Sequence, residues 1–205
     1  TVNAFTMTSS TLTWKSTATF NVLNTLTLQN GALLTHADNS TSHIYEVDIY
    51  AAANATIQSG AWIKANGLGL DAGQGQGTGV GAGGGAGYGG DGGASAGGGN
   101  GGQDYGNYIN PTSLGSGGAT DGAAGGTGGG AVIINVPSGI LTLSGLITAD
   151  GNSGVNGGAN GGGGGSGGTV NIVASTFTGL GTLQANGGSG GNGSTNGGGG
   201  GAGGR

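Results

Sequence analysis

Apolar and polar positions alternate in several short stretches of this chain. Val47-Asp-Ile-Tyr-Ala, Val132-Ile-Ile-Asn-Val and Val170-Asn-Ile-Val-Ala each place an apolar residue at every second position. A period of two buries one face of a strand and leaves the other in water. A second short strand pattern follows each of them, within 55–67, 141–151 and 177–187. An earlier copy runs from Phe20 to Asp38 through Leu26-Thr-Leu-Gln-Asn-Gly-Ala-Leu-Leu-Thr, and a degraded one lies around Phe5–Thr17.

Aligned, the copies form columns. Leu34, Ile63, Ile147 and Leu183 share one inward position, and His36, Ala65, Ala149 and Ala185 share another. Thr35, Lys64, Thr148 and Gln184 form an outward column between them. Asn66-Gly67, Asp150-Gly151 and Asn186-Gly187 then predict a repeated corner, with Gly supplying positive φ and the Asx side chain bonding its own turn. One rung of this kind cannot bury its face, but stacked rungs share a continuous apolar column. The pattern predicts an all-β fold, a parallel β-solenoid or β-helix with almost no α-helix.

The stretches between the strands are rich in glycine. Of 59 glycines in 205 residues, only Gly31 and Gly60 precede residue 67, and the rest gather mainly in inserts 67–130, 151–168 and 187–204. Collagen is excluded, because the glycines have no strict third-position period and there are 2 prolines. Helix is disfavoured by about 0.8–1.0 kcal/mol per interior Gly. A solvated, disordered polymer fits poorly with 5% charged and 33% apolar residues. Inserts 151–168 and 187–204 superimpose, pairing Asn156 with Asn192, Asn160 with Asn196, and two five-Gly runs. Equal length and fixed Asn positions predict stacked slots. Extended polyproline-II geometry suits such arms, because its free N–H and C=O groups can bond laterally where no Cβ intervenes. We therefore expect stacked polyglycine II arms, against the alternative of flexible linkers. Residues 1–45 are expected to form attachment strands and a first rung, and 46–205 the glycine-rich solenoid.

The strings at 83–90, 114–118, 128–136 and 185–205 resemble glycine-rich β-solenoid domains of large bacterial surface proteins, over about residues 46–205. The polyglycine II arrangement is similar to phage tail-fibre adhesins and to tip modules of trimeric bacterial fibres. The resemblance implies an extracellular or cell-surface location, contact loops carried on the arms, and a chain able to form a homotrimer. In such surface proteins a Gly-Gly-Arg like that at 203–205 leads into another strand, so either a fragment or a fibre terminus is expected.

Charge narrows the partners. The net charge is −5, and Lys15, Lys64 and Arg205 are the only Lys or Arg residues. Nucleic acid is disfavoured, since its binders displace counterions with many cations, and so is an anionic membrane surface. No apolar run reaches the 18 residues that would insert in a membrane. No recognisable nucleophile elbow exists, His36 falls in an inward column, and no Arg lies within a rung, so no enzymatic activity is expected. Gly190–Thr195 puts Thr where the Ca²⁺-binding nonapeptide needs Asp, so no metal or other cofactor is expected.

What remains are recognition surfaces. Tyr88, Tyr105 and Tyr108, with Asn107 and Asn110, interrupt the longest insert, and rings beside amides suit sugar binding. Asn156, Asn160, Asn192 and Asn196 mark the arm tips. The plainer reading makes these residues lattice caps and turns. Thr27, Thr56, Thr142 and Thr178 form an outward column of the kind used for ice binding, beside an imperfect second rank of Thr25, Asn54, Ile140 and Thr176. Cross-strand stabilisation explains such a ladder equally well. The resulting expectation is an extracellular adhesin or fibre-tip module that binds surface glycans or another cell-envelope component. The alternatives, in order, are a structural spacer, an ice-binding protein and a polysaccharide-cleaving β-helix enzyme.

Overall fold

The computed structural model describes residues 1–205. The chain has no helix and twelve strands: β1 (Phe5–Met7), β2 (Thr11–Trp14), β3 (Phe20–Val22), β4 (Leu26–Leu28), β5 (Leu33–His36), β6 (Val47–Ala51), β7 (Ala55–Ile57), β8 (Trp62–Lys64), β9 (Ala131–Leu143), β10 (Leu146–Thr148), β11 (Thr169–Thr178) and β12 (Thr182–Gln184). Every strand pair is parallel.

The pairs form three ladders. The first runs β3–β6–β9–β11 and the second β1–β4–β7–β9–β11, while the third runs β2–β5–β8–β10–β12. β9 and β11 are long enough to pass through both the first and second ladders, which joins those two into one seven-stranded sheet. That sheet nearly closes, because a bridge between Val2 and Val22 links β3 back to the chain just before β1. The third ladder is a separate five-stranded sheet. The aligned columns recur as residue pairs: Leu34 opposite Ile63, Ile63 opposite Ile147, and Ile147 opposite Leu183.

Alternation determines what is buried. β6 is buried at Val47, Ile49 and Ala51 and half-exposed at Asp48 and Tyr50. Its inward residues belong to one core cluster of 21 side chains running from Met7 to Ala149. His36 lies in that core at 1% exposure. Its Nε2 accepts from the Ala131 N–H (3.2 Å) and its Nδ1 lies 2.7 Å from the Ala37 carbonyl, which fixes the neutral tautomer with the proton on Nδ1. Burial lowers its pKa below the ordinary value, against the smaller raising effect of the Ala37 carbonyl.

The glycine-rich inserts are ordered by backbone hydrogen bonds. Donors along 161–168 turn through three neighbours in strict rotation. Gly161, Gly164 and Gly167 donate to Asn196, Gly199 and Ala202; Gly162, Gly165 and Gly168 to Val155, Asn152 and Ala149; Gly163 and Ser166 to Ala119 and Ser116. Carbonyls of the same segment accept from Gly188 and Gly191, from Gly126 and Gly129, and from Ala86. Six segments thus surround this one, and residues 161–169 are all buried.

The corners differ from expectation. Gly67 has the predicted positive φ (62°), but Gly151 and Gly187 do not adopt the left-handed conformation. At these two positions Gly is needed for close approach, because a Cβ would lie 2.3 Å from the Gly165 carbonyl oxygen and 2.1 Å from that of Gly201. The Asx side chains also reach beyond their own turns. Asn66 Oδ1 accepts from the Asp150 N–H (3.0 Å), and Asp150 Oδ1 from the Asn186 N–H (2.6 Å).

Gly163→Ala should lower stability by about 1–3 kcal/mol, since its Cβ would sit 2.1 Å from the Gly84 carbonyl oxygen. Gly158→Ala, with nothing within 4 Å, should leave the melting temperature almost unchanged. His36 predicts acid sensitivity. Its folded pKa lies below its unfolded one, so the unfolded chain takes up the proton first and stability falls as pH drops below about 6.5. Denaturant unfolding at pH 7.5 and 5 checks this, and His36→Gln should flatten the dependence.

Candidate functional site

The outward columns of the first ladder floor the largest cleft. Asn21, Tyr50, Asn135 and Val173 occupy one column, and Asp48, Ile133 and Asn171 the next. Thr19 and Glu46 continue the lining at one side, while Asn110 and Thr112 of the long insert contribute from above. The open cleft has a volume of about 480 Å³, within the ordinary range for small-ligand sites.

The insert is pinned over the strands by two amides. Asn171 Nδ2 donates to Asn110 Oδ1 (2.8 Å) and to the Pro111 carbonyl (3.1 Å). The turn leading there is local: Asn107 Oδ1 accepts from the Ile109 N–H (2.8 Å) and the Asn110 N–H (3.2 Å). Asn107 therefore shapes the loop, and Asn110 builds the cleft wall.

No Lys or Arg lines the cleft. Its two carboxylates differ in setting. Glu46 faces His43, 3.0 Å from its Nε2. Asp48 accepts from the Thr19 hydroxyl (2.5 Å), and burial raises its pKa above the ordinary carboxylate value, with the Thr19 hydrogen bond opposing. The lining combines four amides, one tyrosine ring, two hydroxyls and two carboxylates, which suits donor-rich neutral ligands.

The remaining candidates scatter. Tyr88 is fully buried, its hydroxyl 2.5 Å from Thr169 Oγ1, its ring tilted against Tyr105 at 4.8 Å and the Arg205 guanidinium 5.6 Å above it. The expectation of a sugar-stacking face at Tyr88 is therefore corrected: no part of the ring reaches solvent, because it fills the junction between arms and strands. Tyr105 is partly buried beside it, its hydroxyl donating to the Leu114 carbonyl and accepting from Ser116 Oγ (2.9 Å). Tyr108 and Ile109 project into water, at 77% and 78% exposure.

The arm-tip asparagines bond one another across a constant offset of 36 residues. Asn156 Oδ1 accepts from the Asn192 N–H (2.7 Å), and Asn196 Nδ2 donates to Asn160 Oδ1 (2.9 Å). They hold the two arms in register. Asn21, Asp48, Tyr50, Asn135 and Asn171 were absent from the sequence-derived site. The signal for all five was their outward position in neighbouring columns. No family model, no curated protein and no solved structure matches the chain.

Burial pushes the Tyr105 pKa up to about 12. Its proton is then lost from the unfolded chain, near pH 10, before the folded one, so stability should fall between pH 10 and 12, by of order 2 kcal/mol. Denaturant unfolding at pH 8.5 and 11.5 measures this, and Tyr105→Phe should reduce the fall.

Proposed function

We propose that this chain is a non-enzymatic recognition module of an extracellular surface or fibre protein. In this reading the three ladders are the faces of a parallel β-solenoid, and the inserts are polyglycine II arms. Two features support that architecture. The inward columns stay aligned from strand to strand within each ladder, with one register shift between Ala174 and Thr176, and the hydrogen bonds of 161–168 repeat every third residue, the period of a polyproline-II helix. The resemblance to glycine-rich surface domains and fibre-tip adhesins points the same way.

The observation that carries the function is the cleft: Tyr50 set among the amides of Asn21, Asn110, Asn135 and Asn171, beside Asp48, over an ordered strand floor. A pyranose offers an apolar face for the ring and hydroxyls for the amides. The absence of lining cations favours neutral over acidic sugars. A structural spacer is the second reading, favoured by the dense arm lattice, which gives stiffness without needing a ligand. Cleavage of the glycan is the weaker assignment, since Glu46 is tied to His43 and a glycosidase needs two free, positioned carboxyl groups.

A glycan array followed by calorimetry separates these readings. A neutral oligosaccharide should bind, and Tyr50→Ala and Asn135→Ala should each weaken binding about tenfold, or ~1.4 kcal/mol. Unchanged melting temperatures in both variants would exclude misfolding. A chain that binds no glycan would stand as a spacer, and release of reducing ends would restore the enzyme reading.

A further inference from the structure

The outer face of the second ladder plays no part in the cleft. Parallel pairing aligns Thr6, Thr27, Thr56, Thr142 and Thr178 in one rank across five strands. With neighbouring strands about 4.8 Å apart, the rank extends about 19 Å and presents one hydroxyl and one methyl at each step. None of the five hydroxyls bonds within the protein, and none is a buried atom left without a partner, so all five meet water. Threonine is stiff at χ1, and identical neighbours above and below restrict it further.

The flanking positions have the same character. Thr25, Asn54, Ile140 and Thr176 lie on one side, and Thr8, Gln29, Gln58, Ser144 and the fully exposed Leu180 on the other. These three ranks include no charged side chain and no aromatic one.

We propose that this threonine face binds ice, with the rank of Thr6, Thr27, Thr56, Thr142 and Thr178 as the contact line. A soluble ligand is recognised by groups converging on a concavity, and this face has none. It is a repeating, uncharged surface, which fits a partner that is itself flat, periodic and neutral. Evenly spaced methyls order the water between them, and hydroxyls at the same repeat anchor that water to the protein. A charged group there would impose its own hydration shell and interrupt the lattice. Sugar polymers are matched less well, because their rings stack on aromatic side chains. A lipid surface is matched less well still, because Ile140 and Leu180 are the only large apolar side chains in these ranks, and they stand on opposite sides of the threonine line. The inference is independent of the glycan reading, since the cleft lies on the first ladder.

The full chain should separate the melting and freezing points of a single ice crystal in nanolitre osmometry and facet its growth. Thr56→Tyr combined with Thr142→Tyr should remove most of that gap while leaving the melting temperature of the protein unchanged. Thr182→Tyr, on the third ladder, should retain the gap. The proposal is overturned by a wild-type chain that neither shapes ice nor slows its recrystallisation. It is equally overturned by activity that survives the double substitution, or by Thr56-dependent binding to crystalline chitin or cellulose without ice activity.

Discussion

The structure depends on carbonyl oxygens occupying the space where side chains would begin. A Cβ at Gly163, Gly164 or Gly165 would lie 2.1 Å from an oxygen of a neighbouring segment. Only glycine lets the segments approach closely enough for each N–H to reach its acceptor. Of 116 backbone hydrogen bonds, 35 lie within the paired strands and 81 in corners, links and inserts, so the inserts carry a share of this ordering comparable with that of the strands. A net gain of about 0.5–1.5 kcal/mol per bond is comparable with the 1–2 kcal/mol lost in fixing each residue. The lattice is therefore close to neutral by itself. Burial of the 21-residue apolar cluster tips the balance, because the ladders it stabilises hold both ends of inserts 67–130 and 151–168 and the start of 187–204.

Strand stack and lattice meet through residues chosen for size. Ala65, Ala149 and Gly130 sit where inserts leave and rejoin the third and first ladders, and a Cβ at Gly130 would fall 2.1 Å from His36 Nε2. The histidine spans that gap with its two ring nitrogens and joins the core to the first residue of β9. Tyr88 and Thr169 do the same from the lattice side, and the Thr169 hydroxyl continues to the Ser113 carbonyl (2.7 Å). A hydrogen-bonded polar junction of this kind fixes position as well as proximity, which the lattice requires for its three-residue rotation.

Local periodicity made the strands legible. Inward columns, outward columns and the 36-residue match of the two arms were all readable, because each depends on residues a fixed distance apart. Corner conformation was not. Asx-Gly predicts a left-handed turn, and at Gly151 and Gly187 crowding by a neighbouring segment explains the glycine instead. The candidate site failed for a related reason. Tyr88 reads as an exposed aromatic in a glycine-rich loop, yet it closes the end of a lattice whose other walls come from residues up to 117 positions away. The cleft needs Asn110 to fold back onto Asn171, 61 residues later, and no local pattern encodes that contact. Thr6 was missed because the strand around it is the least regular copy.

Insert placement decides what each face can recognise. Along the third ladder successive strands are offset by 22, 29, 84 and then 36 residues, yet they remain in register, so the surplus must leave the stack at one corner. That corner lies between the third ladder and the first. Chain emerging there can fold over the first ladder, and residues 107–112 do so, giving it the wall that makes a cleft. The second ladder is entered through short links, or directly within β9 and β11, so no insert is available to cover it. The same strand geometry thus yields a walled, amide-lined site on one face and a bare threonine rank on another. The difference between them lies in loop length at one corner rather than in the strands themselves.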